Sequence, residues 1–236
     1  MNIRLYQPNS IAENTTKLLS KEHTHYVVNV MRLKRGSRIN FFNEEGEWEG
    51  EIIFLNKNRV EVKFLKKIKK KIVSSKVELA ICLIKKNSFE TILQKATELG
   101  IKKIIPIVSE RTEVKELNYD RANKIVIEAT EQSNQLKPPE ILEVIKLSNF
   151  LDNMDNTSQL LFADVNSMNK IKKDSLNSEK QTFILIGPEG DFSLNERELI
   201  MSKSNSIPFS LSKSILRSDT AAISAISLVN FILNDH

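Results

Sequence analysis

The chain has 236 residues, 40% of them hydrophobic, with 35 Lys/Arg against 30 Asp/Glu for a formal charge of +5 at pH 7. A chain of this length holds one large domain or two modest ones, and either buries a core. The single cysteine, Cys82, excludes an intramolecular disulfide. With only three histidines beside it, no metal site is expected. No stretch approaches the ~20 apolar residues of a membrane span, and the N-terminus lacks a charged-then-apolar leader. A soluble, cytoplasmic protein without metal or membrane contact is expected.

The charge is uneven along the chain. Residues 1–75 carry fifteen Lys/Arg against eight Asp/Glu, and the remainder twenty against twenty-two. That asymmetry points to a first part facing a polyanion such as RNA. This part reads as β structure: RINFF, EWEGEII and RVEVKFL are short runs with alternating or aromatic-rich apolar positions, separated by NEEG and NKN turn signals. Short strands at close spacing suggest a small barrel or sandwich. The run KKIKKK (Lys66 to Lys71), followed by IVSSK, is either a solvated hinge or an edge contacting phosphates.

From Lys76 the period changes. VELAICLI is a continuous apolar run of buried-strand type. A helix follows, with Asn87 and Glu90 as its N-terminal pair, Phe89, Ile92, Leu93, Ala96 and Leu99 on one face, and Gly100 as its stop. KKIIPIV is the next strand. A helix over Arg121 to Gln132 closes toward Pro138-Pro139. QLLFAD, TFILIG and IPFSLS continue the strands, with helices from Ser193 and from Asp219. Alternating strands and helices make this part α/β with a largely parallel sheet. The last helix, TAAISAISLVNFIL, keeps only a thin polar stripe of Ser224, Ser227 and Asn230. It is either a central core helix or one that packs on its own sheet and on a second subunit.

Two loops concentrate the chemistry. Gly187-Pro188-Glu189-Gly190 directly follows the strand TFILI and precedes a helix marked by Ser193 and Glu196. The C-terminal edge of a parallel sheet is where α/β proteins place ligands, and glycine there permits close backbone approach. GPEG is neither a P-loop nor GxGxxG. It reads as a ligand loop or as a plain tight turn. The second loop runs from Leu211 to Ala221, with Arg217 and Asp219 flanking a helix start that favours negative charge. Asp219 can serve simply as a cap, which leaves Arg217 unexplained.

IGPEGDFSLNERE and SLSKSILRSDTA resemble the paired signatures of the RsmE family of 16S ribosomal RNA uridine-N3 methyltransferases, part of the SPOUT superfamily of knotted methyltransferases. HYVVNVMRLKRG resembles the N-terminal RNA-binding segment of that family. QKATELGIKKIIPIVSER and IVIEATEQSNQLKPPEI resemble its two central blocks, so the similarity runs the length of the chain. The resemblance implies a PUA-like RNA-binding β-barrel over 1–72 and a SPOUT α/β trefoil-knot domain over 76–236. It implies S-adenosylmethionine bent in the knot, held by Ile186, Gly187, Glu189, Gly190, Leu211, Ile215 and Leu216, and a homodimer packed through the knot. Arg4, Arg32, Lys34, Arg35 and Lys137 are the expected RNA contacts, with His25 more structural. The chain departs from the family pattern at Asn134 and Gln135, at Ser212 and Ser214, and at Asp219, where the family usually has Glu.

The expected reaction makes its own demands. The N3–H of uridine is a poor nucleophile until its proton is removed and the charge spreading onto O2 and O4 is stabilised. Arg217 is expected to face that anion, with Asp219 or Glu189 taking the proton. The competing readings are a related knotted methyltransferase acting on a ribose hydroxyl or another RNA, and a non-catalytic RNA-binding protein.

Overall fold

The computed structural model describes residues 3–70 and 75–234, which divide into two compact units. The first comprises residues 1–73 together with Thr130–Lys137, and the second Ser74–Ala129 with residues 138–236.

The first unit is a five-stranded sheet in the order β1-β3-β4-β5-β2. Its strands are β1 (Arg4–Tyr6), β2 (Thr16–Leu18), β3 (Arg38–Asn43), β4 (Gly46–Leu55) and β5 (Val60–Lys70). Only β1 and β3 run parallel. Three register shifts along the β4–β5 ladder mark bulges, which bend and twist this hairpin. Alternate residues Ile39, Phe41, Trp48, Ile52, Val60, Val62 and Phe64 point inward and form the core. Helix α1 (Lys21–His25), capped by the Ser20 side chain on His23 N, continues as a π-helical turn over Tyr26–Val30. Sequence patterning anticipated β3, β4 and β5. It missed β1 and β2, which at three residues each carry no readable period.

The lysine run does not form a linker. Lys66 to Lys70 are strand residues of β5, with Lys69 ion-paired to Glu47 and Lys67 lying 4.7 Å from the Trp48 ring centroid. Lys71 and the start of the expected IVSSK hinge lie outside the described residues.

The second unit holds a parallel sheet in the order β12-β10-β11-β6-β7-β8, with β9 also pairing β7. In chain order it comprises β6 (Val77–Cys82), α2 (Lys86–Glu98), β7 (Lys103–Val108) and α3 (Tyr119–Gln132). The short β8 (Glu140–Ile141), β9 (Ile145–Lys146) and α4 (Leu147–Asp152) follow, then β10 (Gln159–Ala163) and β11 (Thr182–Ile186). Helix α5 (Leu194–Ser202), β12 (Ser206–Phe209) and α6 (Ser218–Asn234) complete it. Both sheet faces are covered, which explains the unbroken apolar runs. Leu79 and Ile81 face a core with α2 and α6, while Ala80 and Cys82 face another with α4 and α5.

The α2 face reads as expected, with Phe89, Ile92, Leu93 and Ala96 buried, and Gly100 takes φ +79° just past the helix end. Its start differs. The helix begins at Lys86, so Asn87 lies within the first turn, its side chain makes no cap, and Glu90 instead pairs with Arg121 at 2.9 Å. Helix α3 ends at Gln132, before Pro138 is reached. On α6, Ala222, Ala225, Ile226 and Val229 are buried, and Asn230 Nδ2 donates to Leu99 O at the end of α2. Phe231 on the same helix stays 70% exposed. Among the described residues no helix is long and apolar enough to cross a membrane, and no cluster of His, Cys, Asp and Glu is able to hold a metal ion.

Candidate cofactor site and basic surface

The parallel strands of the second unit end on one edge, where the loops after β10, β11 and β12 meet. Ser218 Oγ donates to Gly187 O at 3.1 Å, which joins the start of α6 to the GPEG loop. That loop is braced from three further directions. The Ser193–Glu196 capping box fixes the start of α5, as the spacing predicted. Arg111 Nη1 donates to Gly190 O at 2.9 Å, and Glu189 Oε1 accepts from Lys85 N at 3.4 Å.

The two glycines differ in what they answer to. A Cβ on Gly187 would lie 3.1 Å from the Phe192 ring, so packing within the chain favours glycine there. A Cβ on Gly190 would meet only the Arg111 side chain, at 3.8 Å, and the backbone there is outside the left-handed region. Nothing in the chain itself therefore requires glycine at 190. A ligand brought against the backbone would be a reason for it.

Beside this loop, Leu211, Ile215 and Leu216 line a recess of about 80 Å³ with Ala163, Asp164, Val165 and Ala221. Ligand pockets for drug-sized molecules run roughly 300–1,000 Å³, so the recess holds one part of such a ligand. A larger cleft of about 520 Å³, lined by Ser158, Gln159, Asn177 and Asn205 among others, lies at the opposite, N-terminal ends of β10 and β12. Open parallel sheets place ligands at the carboxyl ends, so the small recess is the better candidate. Ile186, Gly187, Glu189 and Gly190 do not line it, and the Ile186 side chain is buried in the core, leaving only its backbone for a ligand.

Arg217 is 78% exposed, with Nη2 donating to Ser88 Oγ at 3.2 Å and Nε 3.9 Å from Asp219 Oδ1. Its carbonyl accepts from Ala221 N at 2.8 Å, the first turn of α6. Asp219 Oδ1 accepts from Thr220 N at 2.8 Å, so this acid is partly engaged by the helix start.

Asp164, at the end of β10, escaped the sequence reading. Its side chain is 1% exposed, and Oδ2 accepts from Arg197 Nη2 at 2.7 Å and from Arg197 Nε at 3.2 Å. Burial alone would raise this carboxyl, but Arg197 and the Asn166 N–H outweigh it and hold it below its ordinary range. A polar residue closing the apolar run QLLFA was the available signal.

In the first unit, Arg32, Lys34 and Arg35 are exposed on the loop before β3, with Arg32 at φ +52°. Exposed Lys137 reaches Glu44 at 2.7 Å. His25 is exposed and its Nδ1 is 2.9 Å from Asn29 Nδ2. Arg4, expected as an RNA contact, is engaged by the chain itself. It bonds Glu47, donates to the carbonyls of Thr130, Ser133 and Gln135, and lies 4.2 Å from the Phe42 ring centroid. Its guanidinium caps the C-terminal end of α3, where carbonyls lack intrahelical donors.

The RNA methyltransferase domain family matches residues 71–230, and the RNA methyltransferase PUA domain family matches residues 19–65. These matches define an RNA methyltransferase with a PUA-like β domain followed in sequence by an α/β methyltransferase domain built on a parallel sheet. Over its length the chain is 37% identical to the ribosomal RNA small subunit methyltransferase E of Rickettsia conorii, a match covering 97% of this chain and 95% of that one. The chain belongs to the ribosomal RNA small subunit methyltransferase E family. A member from Neisseria gonorrhoeae, solved bound to S-adenosylmethionine, superposes with TM-score 0.89 at 26% identity over 98% of each chain. A methyltransferase from Legionella pneumophila, also solved with S-adenosylmethionine, gives TM-score 0.85 at 28% identity over 98% of this chain and 97% of that one.

Proposed function

We propose that this chain is a cytoplasmic S-adenosylmethionine-dependent enzyme that methylates N3 of a uridine in the 16S RNA of the small ribosomal subunit. The observation that carries the reading is the junction of the GPEG loop with the Ile215-Leu216-Arg217 loop through Ser218 and Gly187, at the carboxyl edge of the sheet. In this reading the edge is the knotted cofactor site. Gly187, Glu189, Gly190 and the backbone of Ile186 hold the cofactor on one side, and Leu211, Ile215 and Leu216 on the other.

S-adenosylmethionine supplies an electrophilic methyl on a sulfonium. The residues of the chain do the rest. Arg217, exposed and steadied by Ser88, faces the imide oxygens as N3 loses its proton. Glu189 or Asp219 takes that proton. Arg32, Lys34, Arg35 and Lys137 hold RNA phosphates. The Lys137–Glu44 pair is exposed and worth about 0–1 kcal/mol, so a phosphate displaces it readily. The outward side of α6, where Phe231 is exposed, packs against a second copy of the chain.

The experiment is transfer of tritium from labelled S-adenosylmethionine to unmodified small ribosomal subunits, followed by nucleoside chromatography. Label in 3-methyluridine supports the reading. Label in another nucleoside keeps a methyltransferase and removes the uridine assignment. Absence of label with folded protein on subunits and free RNA leaves an RNA-binding protein. Near wild-type turnover by folded Arg217→Ala would remove Arg217 from the chemistry.

A further inference from the structure

The Asp164–Arg197 pair lies among the three loops of the candidate site; Arg197 falls in the segment IGPEGDFSLNERE, and Asp164 lies outside both signatures. Asp164 opens a turn that is stitched to the strand leading into the 211–217 loop. Asp164 N donates to Phe209 O at 3.0 Å, Ser210 N to Asn169 O at 2.7 Å, and Ser167 Oγ to Pro208 O at 3.4 Å. Within the turn, Asp164 Oδ1 accepts from Asn166 N at 3.0 Å and Asp164 O from Ser167 N at 3.1 Å. Arg197 sits on α5, four residues past Ser193, where the GPEG loop has just been captured by the capping box. One ion pair therefore links the helix that follows the first cofactor loop to the turn that anchors the second. The recess lies against it, with Asp164 in its wall beside Leu211, Ile215 and Leu216.

Both carboxylate oxygens are already satisfied by the chain, so the pair has little left to offer a ligand directly. A pair of this kind, with Asp164 buried and Arg197 34% exposed, contributes little net stability compared with apolar residues of similar volume, yet it fixes geometry. We propose that Asp164 and Arg197 are positioning residues for the cofactor: they hold the two loops at the separation that S-adenosylmethionine requires, and so set its affinity without touching the reacting atoms. This rests on the reading of the edge as an S-adenosylmethionine site.

The test uses the full-length protein. S-adenosylmethionine affinity is measured by calorimetry, and KM for the cofactor and kcat on small subunits by initial rates. The variants are Arg197→Met, Arg197→Lys and the double replacement Asp164→Leu with Arg197→Met. Contacts that act through a packed network shift affinity by a few-fold to about thirtyfold. Arg197→Met is expected to raise Kd and KM by about tenfold while kcat at saturating cofactor changes far less. Arg197→Lys, which keeps the charge but not the two-pronged donor, is expected to recover part of the loss.

Arg197→Met leaves a buried carboxylate unpaired and can fail to fold. The double variant removes that charge and keeps the test alive. A folded double variant with wild-type Kd overturns the proposal, as does an equal fall in kcat with unchanged KM. Failure of the wild-type protein to bind S-adenosylmethionine at all overturns the site reading instead, so the two failures are distinct.

Discussion

Replacing Arg4 by alanine separates its structural role from an RNA-binding one. The guanidinium is 10% exposed and touches the carboxylate of Glu47, itself 1% exposed, with Nη2–Oε2 at 3.2 Å. Removing one partner of a buried pair costs about 3–5 kcal/mol. Glu47 would keep Lys69 at 3.1 Å and Asn40 at 2.8 Å, which pulls the cost toward the lower end. The carbonyls of Thr130, Ser133 and Gln135 would lose their donor, at about 1–3 kcal/mol for each that water does not reach. A loss of at least about 3 kcal/mol follows, equivalent to roughly 6–12 °C or more in Tm for a chain of this size. Differential scanning calorimetry is the assay, and the loss belongs to the transition of the first unit if the two units unfold separately. Arg4→Lys recovers part of it, because a single ammonium cannot reach the carboxylate and the carbonyl cage together. A Tm within 2 °C of wild type (about 1 kcal/mol or less by the same scaling), together with weakened RNA binding, would refute this reasoning and return Arg4 to the RNA surface.

The remaining predictions use the same structure. Glu47 is held below its ordinary range because Arg4, Lys69 and Asn40 outweigh the effect of burial. Its contribution is therefore fully present above the unfolded-state value of about 4.3 and lost as pH falls through the folded value. Glu47→Gln should flatten that acid limb in urea titrations, and an unchanged limb refutes the assignment. Gly190→Ala should leave stability within about 1 kcal/mol, because the chain has room for the methyl. If the proposed cofactor lies against this backbone, the same change should weaken S-adenosylmethionine binding on the order of tenfold by calorimetry. Burial pushes the Cys82 thiol up to about 12, so the folded protein should resist thiol reagents at pH 8, and labelling at the rate of a free cysteine would contradict the buried geometry. Replacing Arg32, Lys34 and Arg35 together by alanine should reduce the slope of log affinity against log salt by about 2, at about 0.7 per phosphate lost. An unchanged slope places the RNA elsewhere.

Legibility in the sequence followed the range of the interaction. Strands β6, β7, β10 and β11 were readable because both faces of the sheet are covered, which makes their apolar runs continuous. The α5 start was readable because Ser193 and Glu196 form a reciprocal cap three residues apart. The lysine run of β5 left a hinge and a strand edge equally open, because charged residues on an exposed strand resemble a linker, although Lys67 and Lys69 are held by Trp48 and Glu47. The partners of Arg4 were hidden for a related reason: an N-terminal arginine in a basic half looks free until the carbonyls near residue 133 are folded around it.

The candidate site divides along the same line. Gly187, Glu189 and Gly190 sit in one loop, and Leu211, Ile215, Leu216 and Arg217 in another, so motif reading found each cluster. What holds the loops together is spread across the chain: Ser218 bonds a carbonyl 31 positions away, Arg197 a carboxylate 33 away, and Arg111 a carbonyl 79 away. None of these contacts follows from a local pattern, because each depends on which strand ends the parallel sheet brings side by side. The order β12-β10-β11 puts the turn after β10 between the other two loops. That central position is what makes Asp164, a residue outside both motifs, the point through which a change in one loop is felt by the other.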